Sequence, residues 1–150
     1  MYKRQAIGGG GTILLHFDAV FISPNAKVKY PFSDLGLAPE VGSSLLLFQS
    51  LGYQKAAQLL FGAEWISGQE YFNFGMAKYL GDDYYDKAID YAHQLNEQSL
   101  ASIIETKAIL KSFNADALSA ARDLETKAMK RLYGSEDNIK AIEKFFSRKG

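Results

Sequence analysis

Residues 31–44 read PFSDLGLAPEVGSS, and Glu40 is the only acidic residue between Asp34 and Glu64. It follows a proline at the end of an apolar run. A carboxylate in apolar surroundings has a raised pKa and becomes a better general base. A glutamate in a first helical turn, favoured by the helix dipole, is the alternative. The stretch predicts a helix that starts near Gly42, and it leaves both roles open for Glu40.

A run of glycines, residues 8–11, precedes the apolar residues 12–17, which predict a short helix. Glycines let backbone N–H groups approach a ligand closely, and a helix N-terminus adds a positive dipole. Such donors can hold a phosphate or an oxyanion. The Lys-Ser/Thr pair of a phosphate loop does not follow. Close packing of the helix start against a neighbouring element is the other interpretation.

The remainder of residues 1–80 predicts alternating short strands and helices. Apolar runs and alternation predict strands, and glycine or serine at the boundaries predicts helix ends. The expected strands cover 18–23, 26–30 and 77–80, and the expected helices cover 43–51, 54–61 and 67–74.

Residues 81–150 predict helices only, because no proline occurs there and apolar residues recur at helical spacing. We expect helices over 82–98, 100–112 and 114–133, and a last helix after Ser135. The expected N-caps are Asp82 or Asp83, Asn114 and Ser135. The apolar stripe of the third helix is Leu118, Ala121, Leu124, Ala128 and Leu132, and that of the last is Ile139, Ile142, Phe145 and Phe146.

Composition excludes several classes of function. Seventeen basic residues balance 17 acidic ones, for a net charge of +0, which argues against nucleic-acid and polybasic membrane binding. The chain has no cysteine and only 2 histidines, so we expect no disulfide, no cysteine nucleophile and no metal site. No apolar stretch is long enough to span a bilayer. We expect a cytoplasmic protein.

The other polar candidates have simpler interpretations than catalysis. His16 lies on an apolar helix, which favours a packed, hydrogen-bonded core histidine. His93 lies on a polar helix face and is expected to be solvated. Neither Ser43 nor Ser44 has an obvious histidine partner, so no catalytic triad is predicted.

The order of three motifs resembles the enoyl-CoA hydratase/isomerase (crotonase) superfamily. These motifs are the glycines at 8–10, Phe-Asp-Ala-Val at 17–20 and the stretch 31–44. The signature Leu-Gly-Leu-x-Pro-Glu-x-Gly-Ser-Ser is most similar to the Δ3,Δ2-enoyl-CoA isomerase branch. Residues 59–77 resemble a further family segment, and residues 139–148 resemble the family's terminal helix.

This chain departs from the family pattern in two ways. The family's hydratases carry glutamates at two positions that hold Thr12 and Phe32 here, so paired-carboxylate hydration is not expected. Family domains are also longer. The resemblance therefore implies that the first strands, the main CoA-binding loop and one oxyanion donor are missing, and that residues 1–5 are an unrelated leader.

The resemblance implies both a chemistry and a set of site residues. Glu40 would remove a proton from C2 of a 3-enoyl-CoA and return it at C4. The Gly9 N–H, or that of Gly10 in a shifted register, would bind the thioester oxygen. The expected substrate-binding residues are Gly10, Phe32, Leu35 and Leu37.

The implied fold is α/β. Residues 1–80 would form the second half of a crotonase-like ββα spiral, and residues 81–150 a helical region that drives homotrimers or hexamers. The implied partner is an acyl-CoA thioester, with coenzyme A as part of the substrate and no separate cofactor. A non-catalytic acyl-CoA-binding or assembly module is the alternative function.

Overall fold

A computed structural model of the chain describes residues 4–147, and five short strands form two small sheets. In the first sheet β1 pairs parallel to β3, and β3 pairs antiparallel to β4. In the second, β2 pairs parallel to β5. Parallel neighbours require long crossover connections, and helices supply them here. The strands are β1 (Gln5–Ile7), β2 (Phe21–Ile22), β3 (Lys27–Lys29), β4 (Ile66–Ser67) and β5 (Tyr79–Leu80).

Eight α-helices complete the fold, and helices alone follow β5 in the part of the chain that the structure describes. The expected α/β fold class with a C-terminal helical region is therefore confirmed. The helices are α1 (Gly9–Thr12), α2 (Ser43–Leu51), α3 (Tyr53–Gly62), α4 (Gly68–Asn73), α5 (Tyr84–Asn96), α6 (Leu100–Ser112), α7 (Ala115–Leu132) and α8 (Glu136–Ser147). Single 3₁₀ turns cover Ile13–His16 and Ser33–Leu35.

Local signals set several helix boundaries. Gly52, at φ 75°, separates α2 from α3 in a conformation that favours glycine. Ser67 starts α4 with a reciprocal capping box: its Oγ accepts from the Glu70 N–H, and its own N–H donates to the Glu70 carboxylate. The Ser67 hydroxyl also donates to the Glu70 carboxylate at 2.6 Å, and this bond together with that from the Ser67 N–H holds the pKa of Glu70 below its ordinary value of 4.5.

The core lies between the first sheet and helices α2 to α4. Leu47 of α2 is fully buried, and it shares one cluster with Val28, Tyr30, Ile66 and Tyr71. These residues come from strands and helices that are far apart in sequence. Their burial fixes how the glycine segment and the stretch 31–44 face each other.

The expected strand over residues 18–23 is wrong in extent, because only Phe21 and Ile22 pair with another strand. Asp18 lies outside the sheet and forms an ion pair with Lys107 of α6. At the N-terminus, Gln5 already pairs in β1, opposite Lys27. The proposed leader thus overlaps a strand, and residues 1–3 lie outside the described residues.

Two of the expected N-caps are wrong in their bonding. Asp83 precedes α5 but makes no capping bond, because its Oδ1 accepts from the Tyr79 hydroxyl at 2.6 Å. Asp82 instead accepts from Ser23 at 2.6 Å. Asn114 precedes α7, but its side-chain amide pairs with that of Gln49 in α2.

The most deeply buried residues of the last two helices are polar, although Leu118, Ala121 and Ala128 of the expected α7 stripe are half-buried. In α7, Leu124 is 66% exposed whereas the adjacent Glu125 is 6% exposed. In α8, Asn138 is buried and its Nδ2 donates to the Leu35 carbonyl at 2.6 Å. The four apolar residues expected to pack from α8 are all substantially exposed, namely Ile139, Ile142, Phe145 and Phe146.

Candidate functional site

Glu40 lies in a tight turn that starts helix α2. The Glu40 carbonyl accepts from the Ser43 N–H at 3.0 Å. The two residues between them adopt left-handed conformations, Val41 at φ 59° and Gly42 at φ 78°. Glycine tolerates this region, whereas a β-branched residue there is strained. The turn leaves the side chain of Glu40 half-buried.

The glycine run leaves two backbone donors free. The Gly8 N–H donates to the Lys29 carbonyl at 3.0 Å, which joins the run to β3. The Gly8 carbonyl accepts from Gly11 and Thr12 and so closes the first turn of α1. Within residues 4–147, the N–H groups of Gly9 and Gly10 have no acceptor, and both residues are exposed. They are therefore available to an external oxygen.

The structure brings Glu40 next to Gly9. A Cβ atom built on Gly9 would lie 3.4 Å from Glu40 Oε1. A carboxylate oxygen thus lies beside Gly9, the residue that carries the first free N–H of a glycine-rich helix start. A base next to an oxyanion donor can remove a proton α to a carbonyl and stabilise the resulting enolate. We call this pair the Glu40–Gly9 site.

A cavity of about 420 Å³ lies between the turn and helix α7. Pro39, Glu40 and Val41 line it from the turn, and Arg122, Glu125, Thr126, Met129 and Lys130 line it from α7. Among the described residues, the Arg122 guanidinium and the Lys130 ammonium have no ion-pair partner. The cavity is therefore lined by carboxylates, by positively charged side chains that have no ion-pair partner among the described residues, and by apolar surface.

Glu125 is a site residue that the sequence analysis missed. Its Oε2 accepts from the Gly42 N–H at 2.6 Å, and its Oε1 accepts from the Ser44 N–H at 2.9 Å and the Ser44 hydroxyl at 2.6 Å. One buried carboxylate thus satisfies two backbone donors at the start of α2, those of Gly42 and Ser44. Its spacing carried a signal, since residues 118, 121, 125, 128 and 132 follow the three-four repeat of a buried helix face.

The expected substrate-binding residues do not form one cluster. Phe32 is 4% exposed and packs in the core, so it offers little surface to a substrate. Leu35 lines a different cavity, of about 480 Å³, with Trp65 and Lys144. Leu37 is half-buried and donates its N–H to the Phe32 carbonyl. Gly10 is exposed next to Gly9, and a Cβ there would meet no atom within 4 Å.

The remaining polar candidates have clear partners or surroundings. Thr12 is fully buried, and its hydroxyl donates to the Gly9 carbonyl at 3.1 Å. His16 is hydrogen-bonded as expected, through Nε2 to the Val41 carbonyl at 2.8 Å, but it is half-buried rather than in the core. His93 is exposed, as expected.

Residues 4–147 contain no group of three or more side chains that could hold a metal ion. No helix in the same range combines the length and apolarity needed to cross a bilayer.

The fold and the candidate site together define a mixed α/β protein with a carboxylate beside a glycine-rich helix start. The model of the family described as Enoyl-CoA hydratase/isomerase matches residues 3–150. The chain belongs to this family.

Similar proteins agree on the fold and differ in reaction. A crystal structure of an enoyl-CoA hydratase/isomerase from Pseudoalteromonas atlantica matches with a TM-score of 0.90 and 27% identity, over 96% of this chain and 59% of that one. Enoyl-CoA delta isomerase 2 of Rattus norvegicus is 27% identical over 96% of this chain and 37% of its own length. The 1,2-epoxyphenylacetyl-CoA isomerase of Escherichia coli is also 27% identical, over 96% of this chain and 56% of its own length. Equal identity to two different isomerases leaves the branch open.

The chain spans about half the length of the curated relatives that it matches, or less.

Proposed function

We propose that this chain carries the proton-transferring half of an acyl-CoA isomerase site. The substrate is a 3-enoyl-CoA thioester, and the product is the conjugated 2-enoyl-CoA. The observation that carries the proposal is the position of Glu40 Oε1 beside Gly9, whose N–H is free.

In the proposed reaction, Glu40 takes a proton from C2 of the substrate. The electron pair moves onto the thioester oxygen and gives a dienolate, which the Gly9 N–H stabilises. Glu40 then returns the proton to C4, so that the double bond moves and no proton is lost. One base suffices because both carbons can lie on the same face of the planar dienolate.

Migration is favoured over hydration by the residues around the site. Hydration by two carboxylates needs a second acid or base near the attacking water. Thr12, at one of the two positions expected for a hydratase glutamate, has a buried hydroxyl bonded to the Gly9 carbonyl. Glu125, the other carboxylate of the cavity, has both oxygens bonded to donors of Gly42 and Ser44. Phe32 has no group that can exchange a proton.

Self-association is part of this proposal. Helices α5 and α6 expose large apolar side chains, among them Tyr85 at 68%, and Phe113 directly after α6 is 77% exposed. Such surfaces in a soluble protein commonly mark an interface. We propose a homotrimer, or a hexamer of paired trimers, built on this helical region.

The test is turnover of 3-enoyl-CoA by the full chain, followed by the ultraviolet absorbance of the conjugated product. Glu40→Gln keeps the shape of the side chain and removes the base, so we expect a loss on the order of 10²–10⁴-fold with acyl-CoA binding retained. Glu64→Gln makes the same chemical change at an exposed position away from the site and serves as the control.

Three outcomes would count against the proposal. Formation of 3-hydroxyacyl-CoA would indicate hydration. Full activity of Glu40→Gln would place the base elsewhere. Acyl-CoA binding by the wild-type chain without turnover would favour the non-catalytic binding module.

A further inference from the structure

One peptide group of the Glu40 turn is held from both sides. The Val41 carbonyl accepts from His16 Nε2 at 2.8 Å, and the Gly42 N–H donates to Glu125 Oε2 at 2.6 Å. These two atoms belong to the same peptide unit and point in opposite directions. Two side chains, 25 residues before Val41 and 83 residues after Gly42, therefore fix the orientation of that peptide plane.

The turn needs such support because Val41 is strained. Its φ of 59° lies in the left-handed region, where a β-branched side chain crowds the backbone. The Val41 side chain is 41% exposed, so its own packing contributes little to holding this conformation. A strained residue persists only where the surrounding structure over-determines it.

The following residue leaves little room for the turn to relax. Gly42 is buried at φ 78°, and a Cβ there would overlap the Leu118 side chain of α7. Helix α7 thus both covers Gly42 and supplies the Glu125 carboxylate that binds its N–H. Any rotation of the Val41–Gly42 peptide would break both hydrogen bonds together.

We propose that His16 and Glu125 are positioning residues for Glu40. Their hydrogen bonds hold the Val41–Gly42 peptide in the left-handed turn, and that turn keeps the Glu40 carboxylate beside Gly9. We call these two hydrogen bonds the clamp. The effect of the clamp on catalysis rests on the proposed function, whereas its existence concerns only the backbone conformation.

The clamp is measured first in the wild-type chain by NMR, without substrate. Because the Gly42 amide donates to a buried carboxylate, we expect slow hydrogen exchange and a strong downfield shift. A positive φ at Val41 brings its amide and α protons close, so we expect a strong intraresidue NOE. Rapid exchange at Gly42, or a weak intraresidue NOE at Val41, would overturn the clamp.

Variants then test what the clamp does. His16→Leu removes the donor, whereas His16→Gln retains an N–H that can reach the same carbonyl. We expect His16→Leu to weaken both the Val41 NOE and an NOE between the Gly9 α protons and Glu40, and His16→Gln to restore them. In an active chain, kcat should fall on the order of 10²-fold in His16→Leu with little change in KM, because a misplaced base slows the chemical step.

Relief of the strain supplies the decisive control. Val41→Gly adopts the left-handed turn without steric cost. In that background His16→Leu should leave the Gly9–Glu40 NOE and kcat unchanged. Equal losses in the wild-type and Val41→Gly backgrounds would show that His16 acts only on general stability and would overturn the proposal.

The two proposals fail separately. A wild-type chain without isomerase activity contradicts the proposed function, and the NMR measurements still decide the clamp. An active chain in which His16→Leu keeps both NOEs and full kcat contradicts the clamp alone.

Discussion

Adjacent glycines of α1 have different surroundings, so a series of alanine substitutions tests the Glu40–Gly9 site. A Cβ at Gly9 would lie 3.4 Å from Glu40 Oε1, whereas a Cβ at Gly10 would meet no atom within 4 Å. A Cβ at Gly11 would lie 3.3 Å from the Lys29 carbonyl oxygen and 3.4 Å from that of Ala6. Each variant thus adds the same methyl group in different surroundings. The methyl group lies beside Glu40 in Gly9→Ala, in open space in Gly10→Ala and against the backbone of the β1–β3 pair in Gly11→Ala.

The magnitudes follow from these distances. Gly10→Ala should raise the free energy of unfolding by about 0.4–1 kcal/mol, because alanine restricts the unfolded chain and fits a helix. Gly9→Ala should be about as stable, but its methyl group would occupy space beside Glu40 where the proposed function places the thioester oxygen. We expect it to lose activity on the order of 10²–10³-fold, like the loss of an oxyanion donor. Gly11→Ala should lose about 1–3 kcal/mol, as an overpacked site does.

The assay combines urea unfolding with acyl-CoA binding and turnover for all three variants. An NOE between the methyl group added by Gly9→Ala and the Glu40 side chain would verify the contact directly. Equal binding and turnover in Gly9→Ala and Gly10→Ala would refute the placement of the site. A Gly11→Ala variant as stable as Gly10→Ala would refute the packing of α1 against β1 and β3.

Three further predictions concern the turn, the capping box and the exposed helices. Gly42→Ala should lower the free energy of unfolding by about 1–2 kcal/mol for the left-handed φ alone. Combining Gly42→Ala with Leu118→Ala should restore only the part of the lost stability that comes from overlap with the Leu118 side chain. Complete restoration in thermal unfolding would contradict backbone strain at residue 42. Ser67→Ala should cost about 1 kcal/mol near neutral pH. The capping box lowers the pKa of Glu70 in the folded chain below its ordinary value of 4.5. The difference in free energy of unfolding between the wild-type chain and Ser67→Ala should therefore have its full value above pH 4.5 and shrink as the pH falls through the folded-state pKa. A difference that stays constant down to pH 2 in a series of urea titrations would exclude that linkage. Phe113→Asp, at a position 77% exposed, should shift sedimentation toward smaller species, and an unchanged distribution would remove the end of α6 from the interface.

The sequence by itself determined the elements whose ends are set by neighbouring residues. Helix α6 covers Leu100–Ser112 as predicted, and α2 ends at Leu51, where Gly52 follows. The helix predicted from residue 67 begins with the Ser67 cap, whose partner Glu70 lies only one helical turn away. Glycine conformations and capping bonds are local, so the residues around them suffice to predict them.

The sequence alone singled out Glu40 and the glycine run as two separate candidates. The resemblance paired Glu40 with Gly9, and the structure places them side by side. Phe32 was expected to bind substrate because of its position in a family motif. The structure shows that Phe32 is buried in the core. A motif position specifies a place along the chain but not the direction of a side chain.

Only the tertiary structure decided which polar groups meet. Glu125 binds the Gly42 N–H across 83 residues, and the periodicity of α7 fits Glu125 as well as Leu124 at the buried face, so it does not identify the partner of the carboxylate. Asn114 pairs with Gln49, 65 residues away, rather than with its own helix. A buried donor must find an acceptor, and a distant carboxylate satisfies the start of α2 as well as a local cap would. That choice depends on how the helices pack, which no local window of the sequence contains.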